Sequence, residues 1–206
     1  MLSYIDPIIF PDRCDVLEIV PSQRYVYPIF KNGSSSLNES SYRILNHSEL
    51  SALTNIEVYV RDPVARFASG IQTYLDRLDP ALDQTTALYF VTEYLFLNRH
   101  FCPQFHWLLN LQRYTNASVT ILPLHQLSDI TSITANTSSK NNELIEVLKQ
   151  NNKIQFYLQL DKVLTEDLLG QTVLFKDIVS TIQTKYPELY TEVIARSLEI
   201  VKHVMP

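Results

Sequence analysis

Apolar positions along the chain follow two periods. Tyr25 to Phe30 is a β-prone run, Ile56-Glu57-Val58-Tyr59-Val60 alternates and is rich in β-branched residues, and Val119-Thr120-Ile121-Leu122 is closed by Pro123. These three predict strands. Between them the spacing lengthens. Leu37, Ile44 and Leu45 predict a helix over 35–46. Val64, Phe67, Ile71, Tyr74 or Leu75, and Leu78 line one face of a second helix. That helix has a clear start, with Asp62 as N-cap and Pro63 at the first helical position, and Asp79-Pro80 breaks it. Further helices are predicted over 84–98, 105–114, 142–151, 172–186 and 187–202. Prolines at 7, 11 and 21 make residues 1–24 an irregular lead-in. Residues 47–55 read as a polar connection, 128–142 as a surface loop, and 152–171 carries no clear period. Strands separated by helices predict an α/β sheet with helices on both faces.

Composition narrows the partners more than the fold. The chain has 206 residues, 46% hydrophobic and 19% charged, within the range of globular proteins. A formal net charge of −5 gives no basic field for nucleic acid or an acidic membrane, so an anionic ligand must be held by local donors. Two cysteines, Cys14 and Cys102, make neither a disulfide framework nor a metal signature, and read as free thiols in a reducing compartment. No basic region followed by a long apolar run opens the sequence, so neither a leader nor a membrane span is expected, and the expected location is cytoplasmic.

Candidate chemistry starts at Lys31-Asn32-Gly33-Ser34-Ser35-Ser36, which follows the first predicted strand and opens the first predicted helix. Strand, tight loop and helix start together make an anion site, because successive backbone N–H groups curl around oxygens and the helix dipole adds positive charge. Lys31 adds a full charge. In a chain with three glycines, Gly33 reads as a backbone requirement. The alternative is a surface turn centred on Asn32-Gly33. The stretch is not a Walker A loop, which needs a second glycine followed directly by Lys and Ser/Thr. A second strand end carries Arg61, with Ser69 eight residues on, roughly two turns into the helix. Arg61 offers a planar fork for phosphate oxygens and Ser69 a hydroxyl. The alternative is an exposed ion pair for Arg61 and a helix-packing role for Ser69.

These segments resemble a known family. Residues 31–36 are similar to the 5′-phosphosulfate loop of sulfotransferases. Val60-Arg61-Asp62-Pro63-Val64-Ala65-Arg66-Phe67-Ala68-Ser69-Gly70 resembles their 3′-phosphate motif, R-D-P-x-x-R-x-x-S. His100-Phe101-Cys102-Pro103-Gln104 is similar to the H-x-x-P-Q element of carbohydrate sulfotransferases. The resemblance covers about residues 25–127. One departure is Phe30, where many relatives place proline directly before the lysine; another is the lack of a membrane anchor, which points to a soluble microbial or viral type.

The resemblance implies a three-layer P-loop-type fold with a central mostly parallel sheet flanked by helices. It implies a single domain over 1–206, with a nucleotide-binding core at 25–127 and a mostly helical part at 128–206. The implied donor is 3′-phosphoadenosine 5′-phosphosulfate (PAPS), without a metal, and the implied acceptor is a hydroxyl of a small molecule or glycan. Lys31 is then catalytic, and Lys31, Asn32, Gly33, Ser34, Ser35 and Ser36 bind the 5′-phosphate. Arg61 and Ser69 bind the 3′-phosphate. The general base is one of His100, His47 and Glu49. Two rivals stay open: a P-loop nucleotide kinase or hydrolase, disfavoured by the missing Gly-Lys-Ser/Thr, and a non-catalytic nucleotide-binding protein of the same fold.

Overall fold

A computed structural model of the chain describes residues 15–20, 22–29, 32, 37, 41–75, 83, 102–131, 146 and 149–192. Their elements run β1 (Leu17–Ile19), β2 (Arg24–Val26), β3 (Tyr42–Ile44), α1 (His47–Ala52), β4 (Asn55–Val60), α2 (Pro63–Leu75), α3 (Gln104–Gln112), β5 (Ser118–Pro123), a 3-10 helix (Leu124–Asp129), α4 (Asn152–Lys162), a π turn (Val163–Asp167), β6 (Thr172–Val173) and α5 (Phe175–Lys185). The six strands form one mixed sheet in the order β3-β1-β2-β4-β5-β6. Strands β2, β3, β4 and β5 point one way and β1 and β6 the other. The sheet is therefore mostly parallel by strand direction, although β1 and β6 make antiparallel contacts at both flanks. Strands β4 and β5 pair along their whole length, from Asn55↔Ser118 to Val60↔Pro123.

Alternation along the strands sorts side chains to two faces. Ile56, Val58 and Val60 of β4 and Val119 and Ile121 of β5 enter a large buried cluster. It also takes in Leu50 of α1, Phe67 and Ile71 of α2, Phe105 and Leu108 of α3, and residues of α4 and α5. The opposite face carries a smaller cluster of Leu17, Ile19, Val26, Leu37, Tyr59 and Leu127. Among the described residues α1 to α5 thus pack on one face, and the sheet is flanked by helices as the sequence reading expected. The second face is met by Leu37 and the 3-10 helix.

The predicted strands at 56–60 and 119–122, and helices at 105–114 and after Asp62-Pro63, have counterparts in β4, β5, α3 and α2. Asp62 Oδ1 accepts the Ala65 N–H at 2.7 Å, as an N-cap should. Four other readings are corrected. Residues 42–44 of the predicted first helix are the edge strand β3, all exposed, paired with β1 through Ile44↔Leu17. The lead-in contains β1 and the first residue of β2. The polar connection holds α1, started by an Asn46/Glu49 capping box. The segment without clear period holds α4 and the π turn. The strand at 25–30 shortens to Arg24–Val26, consistent with Pro28, which has no N–H for a ladder. The helix at 172–186 loses its first two residues to β6. Its neighbours at 84–98, and most of 142–151 and 187–202, lie outside the described residues.

Candidate functional site at the strand ends

The carboxyl ends of β2 and β4 are joined by one side chain from α3. The Gln104 amide reaches Arg61 twice: its Oε1 accepts the Arg61 N–H at 3.0 Å, and its Nε2 donates to the Arg61 carbonyl at 2.9 Å. The same Oε1 accepts from Asn32 Nδ2 at 2.5 Å, and Asn32 Nδ2 also donates to the Tyr59 carbonyl at 2.9 Å. Asn32 and Gln104 are buried, at 2% and 0% exposure. The three sequence motifs therefore meet in a single hydrogen-bonded unit. Asn32 enters it by its side chain. Its backbone N–H donates to Ile29 O at 3.0 Å, closing a turn, so that N–H is not directed to a phosphate. Its Oδ1 is a buried acceptor without a partner among the described residues, a position where a donor is favoured.

Gln104 is itself held from behind. Asp161 on α4 caps α3, its Oδ2 accepting the Gln104 N–H at 2.8 Å and its Oδ1 the Phe105 N–H at 3.0 Å. Burial pushes the Asp161 carboxyl up from the usual carboxylate value, against the pull of the Arg66 charge and those two N–H bonds. Arg66 Nη1 donates to the Cys102 carbonyl, tying α2 to the segment that leads into α3. Burial pushes the Cys102 thiol up to about 12, so at neutral pH it is an uncharged packing residue.

On its other side Arg61 borders a cleft of ≈ 390 Å³ between the start of α2, the start of the 3-10 helix and the π turn. Its polar lining is Arg61, Asp62, His125, Lys162, Thr165 and Glu166. Arg61 is half-buried, and desolvation lowers its pKa, partly offset by Asp62 and reinforced by Arg66. Arginine starts so high that the guanidinium stays charged. The cleft lies beyond the carboxyl ends of two neighbouring parallel strands, where ligands of open α/β sheets bind.

The remaining predicted residues separate. Ser69 is half-buried in α2 and is not part of the cleft's lining. Glu49 is half-buried at the sheet's edge. Its oxygens accept the Asn46 N–H at 2.9 Å and Arg43 Nη1 at 2.5 Å, and these bonds hold its carboxyl below the usual range. A carboxylate so stabilised is a weak base. His47 opens α1 beside it and is exposed. Both follow β3, three strands away from β4. Lys31, Gly33, Ser34, Ser35, Ser36 and His100 lie outside the described residues. Sequence reading quoted Gln104 in a motif without giving it the clamp, and it missed Lys162 entirely. Among the described residues no group of three or more His, Cys, Asp or Glu side chains is placed to hold a metal ion, and no helix is long and apolar enough to cross a membrane. No family model, curated protein or solved structure matches the chain.

Proposed function

We propose that the chain is a PAPS-dependent sulfotransferase that transfers the sulfuryl group to a hydroxyl, with carbohydrate as the acceptor class. The observation that carries the reading is the Gln104 amide, which binds Asn32 of the lysine-glycine-serine loop and Arg61 of the R-D-P motif at once. Asn32 and Arg61, from motifs that resemble the two phosphate-binding elements of one family, are thereby neighbours at the end of the sheet where open α/β proteins hold ligands.

In this reading the acceptor oxygen attacks sulfur in line, the bond from sulfur to the bridging oxygen of the 5′-phosphate breaks, and the nucleotide leaves as adenosine 3′,5′-bisphosphate. The acceptor's proton passes to a base. Positioning and charge stabilisation dominate such transfers. Lys31 neutralises the charge that grows on the leaving oxygen, and Arg61 holds the 3′-phosphate. His100 is the favoured base, since Glu49 is bound to Arg43 and the Asn46 backbone at the far edge of the sheet.

Calorimetry compares adenosine 3′,5′-bisphosphate with adenosine 5′-phosphate. The bisphosphate is expected to bind roughly ten- to a hundredfold more tightly, the usual worth of hydrogen bonds to a charged group. Labelled sulfuryl transfer from PAPS to a panel of glycans follows. Equal affinity for the two nucleotides, or tight bisphosphate binding with no transfer to any member of the panel, overturns the reading.

A further inference from the structure

Arg61 has two neighbourhoods. Its backbone is clamped by Gln104 on the β2 side, and the cleft opens on the β5 side. Lys162, the last residue of α4, is on the cleft's lining, half-buried and without an ion pair among the described residues. His125, the second residue of the 3-10 helix, is on the same lining. Two of the lining's charges are negative, but they are differently placed. Asp62 is engaged as the N-cap of α2, where it accepts the Ala65 N–H. Glu166 is exposed on the π turn. The Thr165 hydroxyl donates to the Asp161 carbonyl at 3.2 Å, so toward a ligand it is an acceptor. Val60, Pro63, Val64, Leu124 and Leu169 supply apolar wall.

The π turn follows Lys162 directly and puts Thr165 and Glu166 on the cleft's lining. Such turns carry one residue more than an α-helical turn and recur at functional sites. Ser69, by contrast, lies six residues into α2, about 9 Å of helical rise beyond Pro63, and is not on this lining.

We propose that Lys162, rather than Ser69, is the partner of Arg61 in holding the nucleotide's 3′-phosphate, so that the phosphate sits in the cleft closed by the π turn. The inference rests on the nucleotide reading above and adds to it a residue from the C-terminal third of the chain. Arg61, just after β4, and Lys162, at the end of α4, bring the two charges to the cleft from different elements. Glu166 then faces the ribose, whose 2′-hydroxyl is a donor that a carboxylate accepts.

The test is calorimetry with adenosine 3′,5′-bisphosphate and adenosine 5′-phosphate on the wild type, Lys162→Ala, Lys162→Arg and Ser69→Ala, at fixed salt, with thermal melts to confirm folding. Lys162→Ala is expected to weaken the bisphosphate about tenfold or more and leave adenosine 5′-phosphate within about twofold. Lys162→Arg is expected to restore most of the loss, and Ser69→Ala to change either nucleotide by less than about threefold. The inference is overturned if Ser69→Ala gives the selective loss and Lys162→Ala does not, or if Lys162→Ala weakens both nucleotides equally. A wild type that binds the two nucleotides equally overturns both this inference and the 3′-phosphate role of Arg61. A selective Lys162 effect in a protein that transfers nothing from PAPS leaves the cleft assignment standing and removes the sulfotransferase reading alone.

Discussion

The two faces of the sheet are built on different terms. On one, β4 and β5 send Ile56, Val58, Val60, Val119 and Ile121 into a core shared with α1 to α5. Its polar groups are buried: Asp161 caps α3, and Asn110 Nδ2 donates to the Tyr27 hydroxyl at 3.1 Å. On the other, the apolar cluster is small and sits beside a polar row. Arg24 Nε bonds both Glu57 oxygens at 2.8 and 2.9 Å, Tyr59 OH donates to Glu57 at 3.0 Å, and Asn55 Oδ1 accepts from Ser118 and Thr120. The charged pair remains partly exposed, with 33% and 17% for the Arg24 and Glu57 side chains, although Tyr59 is buried. Identical strands therefore hold one face where a lost partner strands a charge out of water, and one where water replaces it. Sensitivity to mutation should follow the face rather than the residue type.

The largest expected effect tests the closed face. Asp161→Ala removes the cap of α3 and leaves Arg66, which is 1% exposed, without the carboxylate beside it. Each hydrogen bond to a charged group is worth about 1.5–3 kcal/mol, and the loss of the two cap bonds is what urea denaturation would register. A loss under about 1 kcal/mol would break the comparison at its strongest point.

A pH series sharpens the same face. His106 on α3 is 5% exposed, and burial pushes its imidazole down to about 3. The unfolded chain's histidine titrates near ~6.5. With the folded value depressed, the unfolded state takes up the proton first. This contribution to stability is complete above the unfolded pKa and declines as pH falls from there toward the folded one. Between pH 7.5 and 5.0 the decline is about 2 kcal/mol. The elevated Asp161 carboxyl acts with opposite sign. Measuring His106→Asn alongside isolates the histidine, since the difference in slope belongs to it. Parallel slopes would mean that His106 is not the group responsible.

The smallest effect belongs to the open face. Glu57→Gln weakens the bonds to Arg24 and Tyr59, the first of which solvent screens, and about 1 kcal/mol is expected. Tyr59, whose phenol is pushed up by desolvation and by the Glu57 charge, gives a second readout: its ultraviolet titration should move down when that charge is removed. A loss matching that of Asp161→Ala would erase the distinction between the faces.

The sequence revealed those parts of the fold that obey a local rule. Strands β4 and β5 alternate over six residues each, and α2 announces itself through Asp62-Pro63. The three-residue edge strand β3 was hidden because Ile44 stands at helical spacing from Leu37, and pairing with β1 overrides so short a pattern. Helix α4 was hidden because its buried face, Ile154, Tyr157, Leu158 and Leu160, includes the charged Asp161. The candidate site divides in the same way. Arg61 and Asn32 stood in recognisable motifs. Lys162 belongs with Arg61 only through folding, a hundred and one residues along the chain, and no local pattern carries that distance.

The Gln104 side chain does for Arg61 what a neighbouring strand would do. Its amide donates and accepts as a peptide unit does, so β4 is effectively continued by one borrowed rung after β2 has turned away. That rung is the first residue of α3 and shares its oxygen with Asn32. The helix is thus mechanically geared to both loops. A slide of α3 along its axis carries the Arg61 backbone and the Asn32 side chain with it, so whatever leans on that helix also sets the spacing between the two anion-binding motifs.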